Sequence, residues 1–170
     1  MPDAASGLLA DLGNTEVAVP VLGVVLLWSA WRGRAAGLVR WWPAPLLAAA
    51  ALALVPALVV PLKELFARTG PPGMLGKGYY PSGHAATAAV AYGAAALLIP
   101  PWVAGSSVRR QLAAAVLVLN AGVGLGLVCH GYHWPVDVLA SWCLAPLLLW
   151  PVAAAVAHCD RGGRPGRQPK

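Results

Sequence analysis

Residues 41–62 read WWPAPLLAAAALALVPALVVPL, a stretch without a single charged side chain. A helix of about 20 residues, rising about 1.5 Å per residue, crosses a hydrocarbon core about 30 Å thick. The stretch therefore predicts a transmembrane helix. The rest of the chain agrees, because 59% of its 170 residues are hydrophobic and only 11% are charged. A soluble protein of this size could not bury so much apolar surface, so the composition indicates a membrane protein.

The composition also argues against several other classes. The 16 proline and 19 glycine residues do not suit a coiled coil, and the low charge does not suit a disordered chain. The net charge is +6, but the basic residues lie in short clusters between apolar stretches, which argues against nucleic-acid binding. Three cysteines without a CxxC pair give no disulfide framework. Because no basic residue precedes Arg32, we expect no signal peptide.

Four further stretches lack charged residues, namely 17–31, 85–103, 112–129 and 138–157. The stretch 17–31 is short for a complete span and is the least secure of the five. The sequence predicts an all-α integral membrane bundle of about five transmembrane helices, forming one domain over residues 1–160. The basic tail 161–170 is rich in glycine and proline, and we expect it to be disordered.

Basic residues are distributed unevenly between the two sides that five alternating spans create. One side carries nine of them: Arg32, Arg34, Arg40, Arg109, Arg110, Arg161, Arg164, Arg167 and Lys170. The other side carries only three: Lys63, Arg68 and Lys77. Since cytoplasmic loops are rich in lysine and arginine, we expect a plasma-membrane protein whose C-terminus is cytoplasmic.

The ionisable residues of the outer side are sequence-distant, yet alternation brings them to one membrane level. They are Lys63, His84, His130, His133 and Asp137. Ionisable groups at the ends of spans are functional candidates. Lys63 and its neighbours Arg68 and Lys77 oppose the orientation signal, which favours an anionic ligand, although Lys63 also fits an interface anchor.

Two short patterns carry the chemistry. In Pro81-Ser82-Gly83-His84 a helix start leaves its first amides free for an anion such as phosphate, although Ser82 could simply cap the helix. His133 and Asp137, at positions i and i+4, share a helix face. The carboxylate can hold one imidazole nitrogen and leave the other as base or nucleophile, or Asp137 can serve only as a cap.

Lys63 is followed eight residues later by Pro71, and both precede the two patterns above. The whole ordered set resembles the type 2 phosphatidic acid phosphatase superfamily. Its motifs have the forms K-x6-R-P, P-S-G-H and S-R-x5-H-x3-D, and the resemblance covers residues 63–137. It implies the helical core shared with vanadium haloperoxidases. It also implies His133 as a nucleophile that forms a phosphohistidine, Asp137 as the residue that orients it, and His84 as the acid that protonates the leaving group.

The resemblance further implies that Lys63 and the backbone amides near Ser82 and Gly83 hold the phosphoryl oxygens. The chain departs from the motifs at both arginines, since Gly70 precedes Pro71 and Leu127 follows Gly126. The outer-side cations that could replace them are Arg68, Lys77 and His130, with His130 as the first choice.

The sequence therefore predicts a membrane phosphatase for a lipid phosphate or diphosphate, such as phosphatidate, phosphatidylglycerophosphate or a polyprenyl phosphate. We expect no cofactor, no metal, no nucleic acid and no obligatory protein partner. One alternative is an inactive family member that binds a lipid headgroup or a partner. Another is a metal site built from Cys129, His130, His133 and Asp137. A transporter fits less well, because Asn120 is the only strongly polar residue deep in a span.

Overall fold

The computed structural model describes residues 3–103 and 105–162 and is all-helical over that part. Its helices are α1 (Asp3–Asp11), α2 (Thr15–Ala35), α3 (Pro43–Phe66), α4 (Gly83–Leu98), α5 (Ser106–Cys129) and α6 (Pro135–Gly162). A 3₁₀ turn, Pro100–Trp102, extends α4. The predicted tail 161–170 lies outside the described residues, apart from the last turn of α6.

The helices α2, α3, α5 and α6 are each long and apolar enough to cross a membrane, and so is α4 together with its 3₁₀ turn, over Gly83–Trp102. These five segments confirm the prediction of five spans. The stretch 17–31 lies within α2, a helix of 21 residues. The first span is therefore longer than its uncharged part suggests. Large apolar side chains that are mostly exposed lie on these helices, for example Leu117 at 72% and Leu147 at 71% exposure. Lipid is the solvent that such surfaces require, so the chain is a multi-pass membrane protein.

Helix α4 lies at the centre of the bundle and contacts the other four spans. Ten of its residues are buried, and most of these are alanine. Small side chains let neighbouring helices approach closely. Gly93 is an example, because a Cβ there would lie 2.6 Å from a methyl carbon of Leu149 on α6. Helix α4, which begins at Gly83 within the PSGH residues, is therefore packed closely against its neighbours.

The apolar stretches of the sequence do not include helix α1. It packs along the last turns of α5, where Gly126 leaves no space between the two backbones. A Cβ on Gly126 would lie 2.6 Å from the amide nitrogen of Ala10. A tight turn through Gly13 then leads into α2. The N-terminal hairpin, which we define as residues 3–15, consequently lies at the end of the bundle where α5 ends and α4 begins.

Candidate active site

The site lies where three chain segments meet at one end of the bundle. They are the end of α3, the start of α4 and the junction between α5 and α6. The segment from Ala67 to Ser82 returns the chain from α3 to α4, and it begins with a left-handed residue, Ala67, at φ 43°. The segment is pinned by Arg68, whose carbonyl accepts hydrogen bonds from the amides of Gly78 and Tyr79 at 2.9 and 3.2 Å.

Ser82 joins the start of α4 to the start of α6. Its side-chain oxygen caps α4 by accepting a hydrogen bond from the amide of Ala85 at 3.3 Å. Its own amide donates to the carbonyl of Asp137 at 3.1 Å, and Ser141 donates to the Ser82 carbonyl at 2.7 Å. The Ser82 amide is thus occupied by the carbonyl of Asp137. The bonds of Ser82 fix the two motif regions against each other.

The amides of Gly83 and His84 lie in the first turn of α4. Neither donates a hydrogen bond to any residue that the structure describes. First-turn amides carry the positive end of the helix dipole and are suited to an anion. These two groups therefore remain as backbone donors for a phosphoryl oxygen.

His133 lies just before α6 and is almost completely buried, at 8% exposure. Its Nδ1 is 3.3 Å from Oδ2 of Asp137, which also accepts a hydrogen bond from the Trp134 amide at 3.0 Å. A carboxylate accepts only, so the arrangement places the imidazole proton on Nδ1. The Nε2 lone pair is consequently left for chemistry.

Arg68 completes the environment of Asp137. Its Nη1 lies 3.3 Å from Oδ1 of Asp137, and the carboxylate is fully buried while the arginine side chain is 37% exposed. A buried carboxylate needs a compensating positive charge, and here the cation comes from the segment that follows α3. Arg68 therefore extends from the surface into the site.

Lys63 and His84 lie close enough to His133 for their charges to act on it. Burial is the main reason why the pKa of His133 is lowered from its ordinary value of 6.5, and the charges of Lys63 and His84 lower it further. The hydrogen bond and the negative charge of Asp137 act in the opposite direction. The balance favours the neutral imidazole, which is the form that can act as a nucleophile.

His84 is held by a residue that the sequence did not suggest. Its Nε2 lies 2.8 Å from Oδ1 of Asn14, the residue just before α2. The available signal was Asn14 itself, because an asparagine after a glycine and before an apolar stretch is typical of a helix start. Nothing in the local sequence indicates that its side chain faces α4.

The two positions where the motifs carry arginine are closed. At Gly70 a Cβ would lie 2.8 Å from the ring of Tyr79 and from Cβ of Met74, so a larger residue does not fit. Leu127 is fully buried in the core. Tyr79 itself packs edge-on against His133 with ring centroids 6.0 Å apart. The aromatic ring therefore takes the space beside the nucleophile on the side of Gly70.

The remaining candidate cations are placed differently. Nδ1 of His130 lies 3.1 Å from Oγ of Ser6 on α1, and its ring packs on Tyr132 at 4.4 Å. Lys77 is exposed and, with Lys63, lines a small surface cavity. Arg68 is thus the candidate that reaches Asp137, whereas His130, our first choice, contacts the N-terminal hairpin.

An apolar groove adjoins the site between α2, α3 and the start of α4. Its volume is about 770 Å³, and its polar end contains Lys63, Gly83, His84 and Asn14. On α3 the stripe of Val55, Val59 and Lys63 follows the i, i+4 spacing of one helix face. The groove residues on α3 begin at Ala49, so the groove extends about 21 Å along that helix.

The proposed metal ligands do not assemble. No group of three or more histidine, cysteine, aspartate or glutamate side chains suited to a metal ion occurs in residues 3–103 and 105–162. His130 turns toward Ser6 and His133 toward Asp137, while Cys129 is exposed. The alternative of a metal site therefore has no support in the geometry.

A family model described as PAP2 superfamily matches residues 44–160, which is more than half of the chain. The matched part covers α3 to α6, apart from the first residue of α3 and the last two of α6, and omits the N-terminal hairpin and α2. No curated protein and no solved structure matches the chain.

Proposed function

The chain belongs to the PAP2 superfamily, a family of membrane phosphatases, and on that premise we propose that it hydrolyses a lipid phosphate or diphosphate through a phosphohistidine intermediate. One observation carries the proposal. His133, oriented by a buried carboxylate, lies within electrostatic reach of His84 and Lys63, and the last two form the polar end of an apolar groove. A nucleophile, an acid and a cation thus meet where a lipid headgroup would lie.

The proposed reaction has two steps. Nε2 of His133 attacks phosphorus and forms a P–N bond as the P–O bond to the lipid breaks, and the departing oxygen takes a proton from His84. Water then attacks the phosphohistidine, His84 accepts a proton from that water, and the P–N bond breaks to give inorganic phosphate. Both histidines return to their starting state, so the net reaction is hydrolysis. This scheme uses no metal and no cofactor.

The charge that develops on the phosphoryl oxygens needs positively polarised donors. We assign this role to Lys63, to the amides of Gly83 and His84, and to Arg68 in place of the absent motif arginines. Arg68 is the best supported of the replacements because it already reaches Asp137. Lys77 and His130 remain secondary candidates.

The groove supports a lipid as substrate. Its wall is formed by apolar residues of α2 and α3, and its length of about 21 Å exceeds half the thickness of a hydrocarbon core of about 30 Å. An acyl or prenyl chain can therefore lie in it while the phosphate reaches Lys63. We further propose that the site faces the extracytoplasmic side of the plasma membrane, since nine of the twelve basic residues belong to the opposite side.

The proposal is tested by measuring phosphate release in detergent from phosphatidate, phosphatidylglycerophosphate, and polyprenyl phosphate and diphosphate, each with and without a chelator. We expect release from at least one lipid and no effect of the chelator. Absence of release from the whole panel contradicts the phosphatase proposal, and chelator-sensitive release contradicts the metal-free scheme.

The second candidate, an inactive member that binds a headgroup, is favoured by the closed positions at Gly70 and Leu127. It predicts that the purified protein binds a lipid phosphate but releases no phosphate. The same panel, combined with a vesicle-binding measurement, separates the two functions. Binding that is lost in Lys63→Gln without any turnover in the wild type would support the inactive member.

A further inference from the structure

Asn14 and His84 form a contact that nothing in the catalytic scheme requires. His84 is the second residue of α4, Asn14 precedes α2, and 70 positions of sequence separate them. Their side-chain atoms Nε2 and Oδ1 are 2.8 Å apart. Asn14 also lies outside residues 44–160, the part matched by the family model. The contact is therefore a property of this chain's own N-terminal hairpin.

Asn14 occupies the N-cap position of α2 but does not use its side chain as a cap. Capping is the usual role of asparagine there, because the side-chain oxygen can accept from a first-turn amide. Here that oxygen faces His84 instead. The side chain thus serves a contact with another helix in place of the local bond that its position favours.

Asp11 determines which way the Asn14 amide faces. Nδ2 of Asn14 donates to Oδ1 of Asp11 at 3.2 Å. A carboxylate can only accept, so the NH2 group must face Asp11 and the carbonyl oxygen must face His84. An amide oxygen in turn accepts, so Nε2 of His84 must carry a proton. The other ring nitrogen, Nδ1, forms no hydrogen bond to any residue that the structure describes.

The turn that carries Asn14 is firmly placed. Tyr92 of α4 donates to the carbonyl of Leu12 at 2.6 Å. A Cβ on Gly13 would lie 2.9 Å from both the carbonyl oxygen of His84 and a methyl carbon of Val123, so the turn fits against α4 and α5 without spare space. Groups that orient a reacting side chain act best when they are themselves held in place.

We propose that Asn14 is a positioning residue for the acid His84, and that Asp11 orients Asn14 for this role. The proposal rests on the function proposed above. The Asn14 oxygen fixes the Nε2–H tautomer in the neutral imidazole and keeps its bond in the imidazolium. Nδ1 is then the nitrogen that gives a proton to the leaving group and takes one from water. The N-terminal hairpin supplies this orientation from outside the matched core.

The decisive variant is Asn14→Ser. Serine is an N-cap as good as asparagine, so α2 keeps its start, but the shorter side chain cannot reach His84. We expect kcat on an alkyl lipid phosphate to fall about tenfold, as part of the rate that general acid catalysis supplies. On p-nitrophenyl phosphate, whose leaving group needs little protonation, we expect less than about a twofold loss. Asp11→Ala should give a smaller loss with the same substrate dependence.

Two controls isolate the effect. Glu16→Gln removes a negative charge from the first turn of α2, next to Asn14, and leaves the contact between Asn14 and His84 in place. It should leave both rates unchanged. In the His84→Ala background, Asn14→Ser should cause no further loss, because a positioning residue acts only through its partner. Equal losses on both substrates, or an additive loss in the double variant, would overturn the proposal while the phosphatase function stands.

A spectroscopic readout does not depend on turnover. In ¹⁵N-histidine-labelled protein in detergent, with the His84 signals assigned by their absence in His84→Gln, the wild type should show the Nε2–H tautomer. Asn14→Ser should show a mixture of tautomers. A mixture already in the wild type would overturn the assignment. If the wild type hydrolyses neither substrate, the phosphatase proposal fails, and the tautomer alone then decides whether Asn14 orients His84.

Discussion

The two histidines of the site are held by different chemistry. His133 is buried, and its partner Asp137 is a fully buried carboxylate paired with Arg68. His84 is exposed at the polar end of the groove, and its partner Asn14 is a neutral amide. A carboxylate stabilises positive charge on the imidazole, which suits a ring that becomes phosphorylated. A neutral acceptor orients without holding charge, which suits a ring that must gain and lose a proton in each cycle.

Removal of the nucleophile should cause the largest loss. We expect His133→Ala to reduce phosphate release more than about a thousandfold, because the proposed scheme forms the P–N bond on His133. The measurement is kcat on the best lipid of the panel, with thermal unfolding in detergent as the check on folding. A wild-type rate in a folded variant would show that His133 is not the nucleophile, and the proposed difference between the two histidines would be wrong.

Removal of the acid should cause a smaller and more selective loss. We expect His84→Ala to reduce kcat about 10² to 10⁴-fold on an alkyl phosphate and much less on p-nitrophenyl phosphate. The ratio of the two losses is the quantity to measure, since it reports protonation of the leaving group. Equal losses on both substrates would show that His84 binds phosphate rather than donating a proton, and the two histidines would then differ less than proposed.

The difference between the two histidines also explains what the sequence could predict. The partners His133 and Asp137 are four residues apart, so helix geometry alone brings them to one face. Five apolar stretches then place His84 and Lys63 at the same membrane level, because successive spans must alternate. The helical bundle, its five spans and the proximity of Lys63, His84, His133 and Asp137 followed from these local patterns.

The contacts between distant segments could not be predicted in this way. Helix α1 is only nine residues long and has no apolar stretch comparable to the spans, and its docking depends on the missing side chain of Gly126. Three side chains contact residues that are distant in sequence, and helical periodicity does not predict such contacts. They are Asn14, Arg68 and His130. The sequence favours His130 over Arg68, because His130 is close to His133 along the chain. Sequence proximity did not anticipate that Ser6 on α1 contacts its ring.

Substitution of Arg68 tests whether the cation that pairs with Asp137 also stabilises the charge on the phosphoryl oxygens. We expect Arg68→Gln to reduce kcat about a hundredfold, the cost typical of a lost donor to a developing oxyanion. Arg68→Lys should recover part of the rate, because it keeps the positive charge but lacks the planar guanidinium with its paired N–H donors. Lys77→Gln, from the same segment, should cost less, since Lys77 does not reach Asp137. A larger loss in Lys77→Gln than in Arg68→Gln would contradict the replacement of the motif arginines by Arg68.

The smallest expected effect is a shift in the pH dependence of kcat/KM. It concerns the positive charge of Lys63, which lies near both histidines. Because the pKa of His133 is lowered from 6.5, its neutral form persists below that pH, and the acid limb of kcat/KM should lie below 6.5. Lys63 contributes to that lowering, since its positive charge disfavours the imidazolium. Lys63→Gln removes the charge, so the pKa of His133 rises and the acid limb moves to higher pH.

Lys77→Gln is the matched control for this shift, because it removes the same charge from a residue that does not act on His133. Its acid limb should coincide with that of the wild type, whatever its rate. Rates normalised to each variant's maximum separate the shift from any loss of phosphate binding. An unmoved limb in Lys63→Gln, or one displaced to lower pH, would show that the ammonium does not tune the nucleophile. Lys63 would then serve the phosphate alone.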